Sequence, residues 1–72
     1  MSKHRYRLEG EYIELHNLLK LLAIAPSGGI AKMMVADGLV KVDGEVESRK
    51  TRKLRVGNVV EVAGEVIEVV GE

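Results

Sequence analysis

Residues 27–44 read SGGIAKMMVADGLVKVDG, and this stretch decides the fold because its apolar spacing changes from helical to strand-like within it. Ser27 is a preferred N-cap residue, so a helix is predicted over about residues 28–37. Gly38 then ends the helix, since glycine adopts the left-handed C′ conformation without steric cost. The side chains predicted to face the core are Ile30, Met33 and Met34, with both methionines as core filler.

After Gly38 the apolar side chains recur with a period of two, which indicates strands. The predicted strands cover residues 39–42, 45–47, 59–62 and 66–70. Asp43-Gly44 is a strong hairpin signal between the first two, and Ala63-Gly64 is a turn between the last two. The two hairpins resemble each other, but one such pair is too little to define a repeat architecture.

The segment before Ser27 predicts another short helix. One helical stripe is formed by Leu15, Leu18, Leu19 and Leu22. Pro26 ends this helix because it disfavours helical geometry at Ala25. The two helices, joined by about four residues, make a compact helix-turn-helix unit. Residues 12–15 alternate too briefly to decide between a short strand and the approach to the helix.

Composition bounds the architecture and the location. The chain has 72 residues, 46% of them apolar, and we predict a flexible basic arm over residues 1–10 followed by a single domain over residues 11–72. No apolar run reaches the roughly 18 residues of a membrane span, and no apolar signal-peptide segment follows the basic start. We therefore expect a cytoplasmic monomer that does not bind membranes.

A dense cationic run is the main functional signal. Although 11 basic and 11 acidic residues balance over the whole chain, residues 49–55 hold five cations and no acid. These are Arg49, Lys50, Arg52, Lys53 and Arg55. Such a run attracts phosphate backbones. Its alternative interpretation is a solvated loop that Glu45 and Glu47 partly neutralise.

Strand alternation would divide these cations. In an extended segment Arg49, Lys53 and Arg55 share one face, whereas Lys50 and Arg52 share the other. Acidic residues are concentrated after the run, at Glu61, Glu65, Glu68 and Glu72. We therefore expect a positive face and a more acidic far edge.

Three further sites are candidates for phosphate contact. Ser27-Gly28-Gly29 opens a helix, whose free N–H groups and partial positive charge suit an anion. Its alternative is an interhelical turn that needs unusual torsions. Lys32 lies off the predicted apolar stripe and Lys41 on the polar face of a strand. Their alternatives are an ordinary solvated lysine and an ordinary half-exposed strand.

Other chemistries lack support in the sequence. No cysteine is available for a disulfide or a thiolate metal site. His4 and His16 have no partner at metal-ligand spacing, and the serines carry no triad signature. We predict a protein that is not an enzyme and has neither cofactor nor small-molecule substrate. Tyr6 and Tyr12 are the only aromatic residues, which counts against a base-stacking platform.

The stretch from Glu14 to Val62, about two thirds of the chain, resembles the RNA-binding domain named after small-subunit ribosomal protein S four, also called the α-L motif. The resemblance rests on the leucine-rich helix, the break at residues 26–29, Ala31-Lys32, and the segments 37–44 and 54–62 around the basic linker. Ser-Gly-Gly before Ala-Lys, and Glu47-Ser48-Arg49-Lys50 after the hairpin, are similar to the free-standing bacterial YbcJ-like small RNA-binding proteins. In larger members the domain delivers an enzyme or ribosomal protein to structured RNA. In this chain we expect no attached catalytic domain.

The resemblance implies an α+β fold in which two short helices pack on a small, mostly antiparallel sheet, an α-β roll. It implies a non-catalytic protein that grips the phosphate backbone of structured RNA, such as ribosomal or another helical RNA. The residues expected to contact RNA are Ser27, Gly28, Gly29, Lys32, Lys41, Arg49, Lys50, Arg52, Lys53 and Arg55. The alternative is a small protein–protein interaction module that uses its sheet edge or acidic C-terminal strand. A modifier protein is disfavoured because the end of the chain lacks a terminal Gly-Gly.

Overall fold

The computed structural model describes residues 2–71, so Met1 of the predicted arm and Glu72 of the acidic set lie outside the described residues. The helices are α1 (Leu15–Leu21) and α2 (Gly28–Ala36). The strands are β1 (Ser2–Arg7), β2 (Ile13–Glu14), β3 (Val40–Val42), β4 (Glu45–Val46), β5 (Lys53–Leu54), β6 (Val59–Val62) and β7 (Glu65–Val70).

Two sheets are present in the described part of the chain. One has five strands in the order β1-β7-β6-β3-β4, and the other pairs β2 with β5. Only β1 runs parallel to its neighbour, β7. This confirms the predicted α+β fold with two helices on a mostly antiparallel sheet. Both predicted hairpins form, and the positive φ angles of Asp43 (52°) and Gly44 (86°) give the first the turn that the right-handed twist of strands favours.

One core joins the helices to the inner face of the sheet. Its buried residues from the helices are Leu15, Leu18, Leu19, Ala31 and Val35, and those from the strands are Val40, Val42, Leu54, Val60, Val62, Ile67 and Val69. The predicted leucine stripe of α1 is confirmed, with Leu22 partly buried at its end. Residues 12–15 contain both of the predicted alternatives, because a short strand, β2, ends at Glu14 and α1 begins at the next residue.

The predicted inner face of α2 was wrong for two of its three residues. Ile30 is 40% exposed and Met33 is 59% exposed, so Met33 is not core filler. Ala31 and Val35, four residues apart, are fully buried instead, and Met34 packs partly against them. Helical periodicity allows either stripe, and the smaller side chains face the core because they let α2 lie close to α1. Ser27 caps this helix as predicted, and its end at Ala36 is followed by Gly38 with φ of 75°.

The prediction of a flexible arm was also wrong for residues 2–7. Ser2–Arg7 forms β1, which pairs with β7 in continuous register from Ser2 opposite Glu65 to Arg7 opposite Val70. His4 and Tyr6 are partly buried and alternate with exposed cations, and Leu8 is buried. The density of polar residues concealed this period of two. A parallel neighbour so distant in sequence also leaves no local turn signal.

Candidate nucleic-acid interface

Three of the five cations of residues 49–55 lie on a turn over residues 49–52, Lys53 lies in the short strand β5, and Arg55 follows that strand. The turn is closed by the Arg52 backbone N–H, which donates to the carbonyl of Arg49 over 3.1 Å. Lys53 follows in β5 and is exposed, while Leu54 is buried. Because residues 49–52 are not extended, the predicted separation of Arg49 from Arg52 was wrong. Both guanidinium groups reach the same carboxylate, that of Glu47.

Glu47 is the buried anion within this basic segment, only 7% exposed. It accepts hydrogen bonds from the Arg49 backbone N–H, Nε and Nη2, each 3.1 Å long, and from Arg52 Nη1 at 2.7 Å. The side-chain hydrogen bonds from Arg49 and then Arg52 lower the pKa of Glu47 from 4.5 to about 2, against the opposing effect of burial. The same contact with Glu47 raises the pKa of Arg49. Of the two carboxylates expected to neutralise part of the run, Glu47 does so, and it also orients two arginines.

The turn is fixed from its other side by the start of α1. Glu14 occupies the N-cap position without a side-chain cap. Carbonyl groups of the basic turn take that role: Arg52 O accepts from Leu15 N over 2.9 Å, and Lys50 O accepts from His16 N over 3.1 Å. His16 Nδ1 donates a second hydrogen bond to Lys50 O over 2.8 Å. Since both carbonyls accept from the first N–H groups of α1, the backbone of the turn is held at Lys50 and at Arg52.

A shallow cationic hollow lies beside the turn. Its volume is about 300 Å3, and its lining consists of Arg49, Thr51, Arg52 and Lys53. Arg49 remains 70% exposed at its side chain despite the contact with Glu47. Lys50 is exposed, and within residues 2–71 its ammonium group forms no ion pair. The hollow therefore presents hydrogen-bond donors to an anion from several directions.

Tyr12 extends this surface, and the sequence analysis did not assign it to the site. Lys53 Nζ lies 4.9 Å and Arg55 Cζ 5.8 Å from the centroid of its ring. Arg55 Nη1 also donates to the carbonyl of Glu11 over 3.3 Å. The sequence carried no signal for this contact, because it depends on the pairing of β2 with β5, which are about 40 residues apart. We name the five cations together with Tyr12 the basic surface.

The Ser27-Gly28-Gly29 turn has no need of glycine for its own geometry. Ser27 Oγ accepts from Ile30 N over 3.2 Å, the cap expected of serine. Neither glycine has a positive φ, so the alternative based on unusual torsions was wrong. A Cβ atom at Gly28 would meet nothing within 4 Å, and one at Gly29 would meet only Ser27 Oγ at 3.9 Å. Their predicted contact with RNA stays a prediction.

The two remaining predicted lysines lie on separate elements. Lys32 is exposed on α2, next to the buried Ala31. Lys41 projects from the outer face of the five-stranded sheet, in register with Glu61 on one side and Val46 on the other. On its strand, Lys41 lies on the opposite face from the buried Val40 and Val42. Five of the ten predicted residues therefore lie together on the basic surface, and the other five lie elsewhere. The five on the basic surface are Arg49, Lys50, Arg52, Lys53 and Arg55.

The acidic residues of β7 are partly paired with the first strand. His4 Nε2 lies 2.6 Å from Glu65 Oε2, and Arg5 Nε lies 3.5 Å from Glu68 Oε1. Among the described residues no group of three or more histidines and carboxylates could hold a metal ion. Within residues 2–71 neither helix has the length and apolar character needed to cross a bilayer.

Two short helices packed on a mixed sheet are the arrangement of the α-L class of folds. The chain belongs to the S4 domain family, whose model matches residues 6–70. This confirms the resemblance drawn from residues 14–62 and extends it over β7 and the last two residues of β1.

Two curated proteins are similar to this chain over about four fifths of its length. The chain is 48% identical over 59 residues to Putative RNA-binding protein YbcJ of Escherichia coli K12, covering 82% of this chain and 84% of YbcJ. It is 42% identical over 57 residues to Probable ribosome maturation protein RlbA of Bacillus subtilis 168, covering 79% and 80% of the two chains.

Two solved structures share the fold. The solution structure of YbcJ from Escherichia coli, whose αL motif is described as involved in RNA-binding, gives a TM-score of 0.65 at 41% identity. That match covers 97% of this chain and 87% of the other. The 30S ribosomal protein S4e from Thermoplasma acidophilum gives a TM-score of 0.66 at 27% identity, over 81% of this chain and 31% of S4e. The fold of this chain thus recurs as one part of a larger ribosomal protein.

Proposed function

We propose that this protein binds structured RNA without catalysing a reaction, and that its basic surface grips the phosphate backbone. The observation that carries the proposal is the pre-organisation of the cations. Glu47 and the start of α1 hold the turn of Arg49, Lys50 and Arg52 in place before any ligand arrives.

Pre-organisation matters because ordering long side chains costs free energy on binding. An immobilised side chain of this kind costs about 0.5–1.5 kcal/mol. Arg49 and Arg52 are already ordered by Glu47, yet each guanidinium has five N–H donors and uses only some of them there. The remaining donors are available to phosphate oxygens, for which the planar fork of arginine is suited.

The relatives support a ribosomal target. RlbA is named for ribosome maturation, and S4e is a protein of the 30S subunit. Ribosomal RNA offers A-form helices, which proteins recognise mainly by shape and by backbone contacts. We therefore propose ribosomal RNA, or a helical RNA of similar form, as the partner, with the cytoplasmic location and the monomeric state that the sequence predicted.

The test is the salt dependence of binding to fragments of ribosomal RNA. Five phosphate contacts give a slope of log K against log salt of about −4 to −5 for a duplex. Replacing both Lys50 and Lys53 with alanine is expected to make the slope shallower by about 2. The matched control replaces Lys3 and Arg5, two exposed cations of β1 on the outer face of the sheet.

The control separates position from total charge, because both double variants lose two positive charges. An unchanged slope for the Lys3/Arg5 variant, together with the shallower slope of the Lys50/Lys53 variant, supports the basic surface. Equal effects of the two variants, or an affinity that barely changes with salt, would show that the proposed surface does not bind the RNA backbone.

The alternative of a protein-interaction module has weaker structural support. β7, which carries Glu65 and Glu68, pairs on both sides and offers no free edge. The strands at the edges are β1 and β4, and β1 alternates exposed charges that discourage pairing with another chain. A protein partner that remains bound after thorough nuclease treatment would favour this alternative.

A further inference from the structure

We propose that the ring of Tyr12, beside the cations Lys53 and Arg55, is a stacking site for an unpaired nucleobase. This inference rests on the proposed function and makes it more specific. The protein would prefer an RNA helix interrupted by a bulged or looped-out nucleotide over a continuous helix.

The ribbon of β2 and β5 fixes the position of the ring. Ile13 lies opposite Leu54, so continuing this antiparallel register places Tyr12 opposite Arg55. Leu54 is fully buried and Ile13 packs against the core. Because side chains alternate along a strand, Tyr12, Lys53 and Arg55 share the opposite, solvent-facing side. The stacking surface is therefore held by backbone pairing.

The exposure of Tyr12 distinguishes it from the other tyrosine. Tyr6 is partly buried on β1 and packs against the core. Tyr12 leaves 42% of its surface in water, amid charged neighbours. An aromatic ring in that setting adds little to the core. Lys53 and Arg55 lie over the ring in the absence of a ligand. A base that stacks on the ring would take their place there, and the displaced cations would bind its phosphates.

The chemistry selects an unpaired base. Bases within a continuous helix are stacked on both faces and cannot meet a protein ring, whereas a bulged base can be splayed out onto an aromatic side chain. Lys53 and Arg55 would then bind the phosphates on either side of that nucleotide. Stacking of this kind tolerates any base, since every base has a π-face.

The experiment compares two RNA hairpins of identical sequence. One carries a single bulged 2-aminopurine, and the other carries an abasic residue at the same position. Affinity and 2-aminopurine fluorescence are measured for the wild-type protein, Tyr12→Phe and Tyr12→Ala. The phenylalanine variant keeps the ring and removes the hydroxyl. Unfolding midpoints of all three proteins establish that they are folded.

We expect the wild-type protein and Tyr12→Phe to quench the 2-aminopurine and to prefer its hairpin to the abasic one. Tyr12→Ala should lose the quenching and bind the bulged hairpin roughly 5- to 100-fold more weakly. Its loss of affinity for the abasic hairpin should be clearly smaller than its loss for the bulged one. Its salt slope on both hairpins should equal that of the wild-type protein, because no charge has changed. If Tyr12→Ala does not fold, Tyr12→Leu, which keeps apolar bulk without a π-face, takes its place with the same expected losses.

Equal wild-type affinity for the two hairpins would overturn the inference, as would an equal loss on both in Tyr12→Ala. In either case salt-dependent binding to both hairpins would leave the proposed function standing. Binding to ribosomal RNA fragments with no binding to either hairpin would also overturn the stacking site. Failure to bind any of these RNAs would overturn both proposals.

Discussion

Glu47 Oε1 accepts a hydrogen bond of 2.7 Å from Arg52 Nη1 inside the most basic segment of the chain. The same carboxylate binds Arg49 through its backbone N–H and its guanidinium group. The negative charge of Glu47 reduces the mutual repulsion of the five nearby cations. Its hydrogen bonds also fix the orientation of the Arg49 and Arg52 side chains. Glu47 is therefore a positioning residue for the basic surface, although it carries the opposite charge from that required to bind RNA.

Replacing Glu47 with glutamine is expected to lower the free energy of unfolding at neutral pH by about 1–2 kcal/mol, because charge-assisted hydrogen bonds are lost. The loss should depend on pH. The folded state holds the pKa of Glu47 at about 2, below the ordinary 4.5. The carboxylate therefore stabilises the fold above pH 4.5, and this contribution disappears as the pH falls towards 2.

The measurement is denaturant unfolding of the wild-type protein and Glu47→Gln between pH 7 and pH 2. The difference between them should be constant above about pH 5 and shrink below it, while the other carboxylates titrate equally in both proteins. A difference that does not change across this range would mean that the charge of Glu47 does not stabilise the fold.

His16 provides a second test of how the turn is held. His16→Ala removes the hydrogen bond from Nδ1 to Lys50 O and is expected to cost about 1 kcal/mol of stability. RNA affinity should also fall several-fold, because the turn loses one of the contacts that order it before binding. His4→Ala is the matched control, since it removes a histidine hydrogen bond to Glu65 between β1 and β7, outside the basic surface. The two variants should lose similar stability, but only His16→Ala should lose RNA affinity in a filter-binding assay.

Local patterns in the sequence predicted the helices and hairpins, but not the contacts between distant segments. The leucine stripe of α1 and the Asp43-Gly44 turn have strong signals within a few residues. The pairing of β1 with β7 joins residues about 60 positions apart, and no pattern in the residues around Ser2 predicts that they pair with β7. For the same reason the cationic run was visible in the sequence, whereas its fixation by His16 and the contact with Tyr12 were not.

The role of β1 is tested by deleting residues 2–7. A flexible arm could be removed without effect on stability. Because β1 covers β7 and carries the partly buried Tyr6, the deletion is expected to reduce the free energy of unfolding by about 2–4 kcal/mol. Chemical denaturation followed by circular dichroism measures the change. If the deleted protein does not fold, Tyr6→Ala should show a smaller loss in the same assay, and unchanged stability of both proteins would contradict the structure at this strand.

Gly28 and Gly29 are expected to separate stability from function. Neither needs glycine for its torsion angles or its space, so alanine at both positions should stabilise α2, by up to about 1 kcal/mol each. If the RNA backbone approaches this helix start closely, the added methyl groups should nevertheless weaken binding. Gly64→Ala is the control with the opposite sign: its φ of 77° makes alanine strained, so stability should fall while RNA affinity is unchanged. Thermal unfolding measures the stability of the two variants, and titration with RNA measures their affinity. A stabilised Gly28/Gly29 variant that keeps full affinity would show that these two residues do not contact RNA.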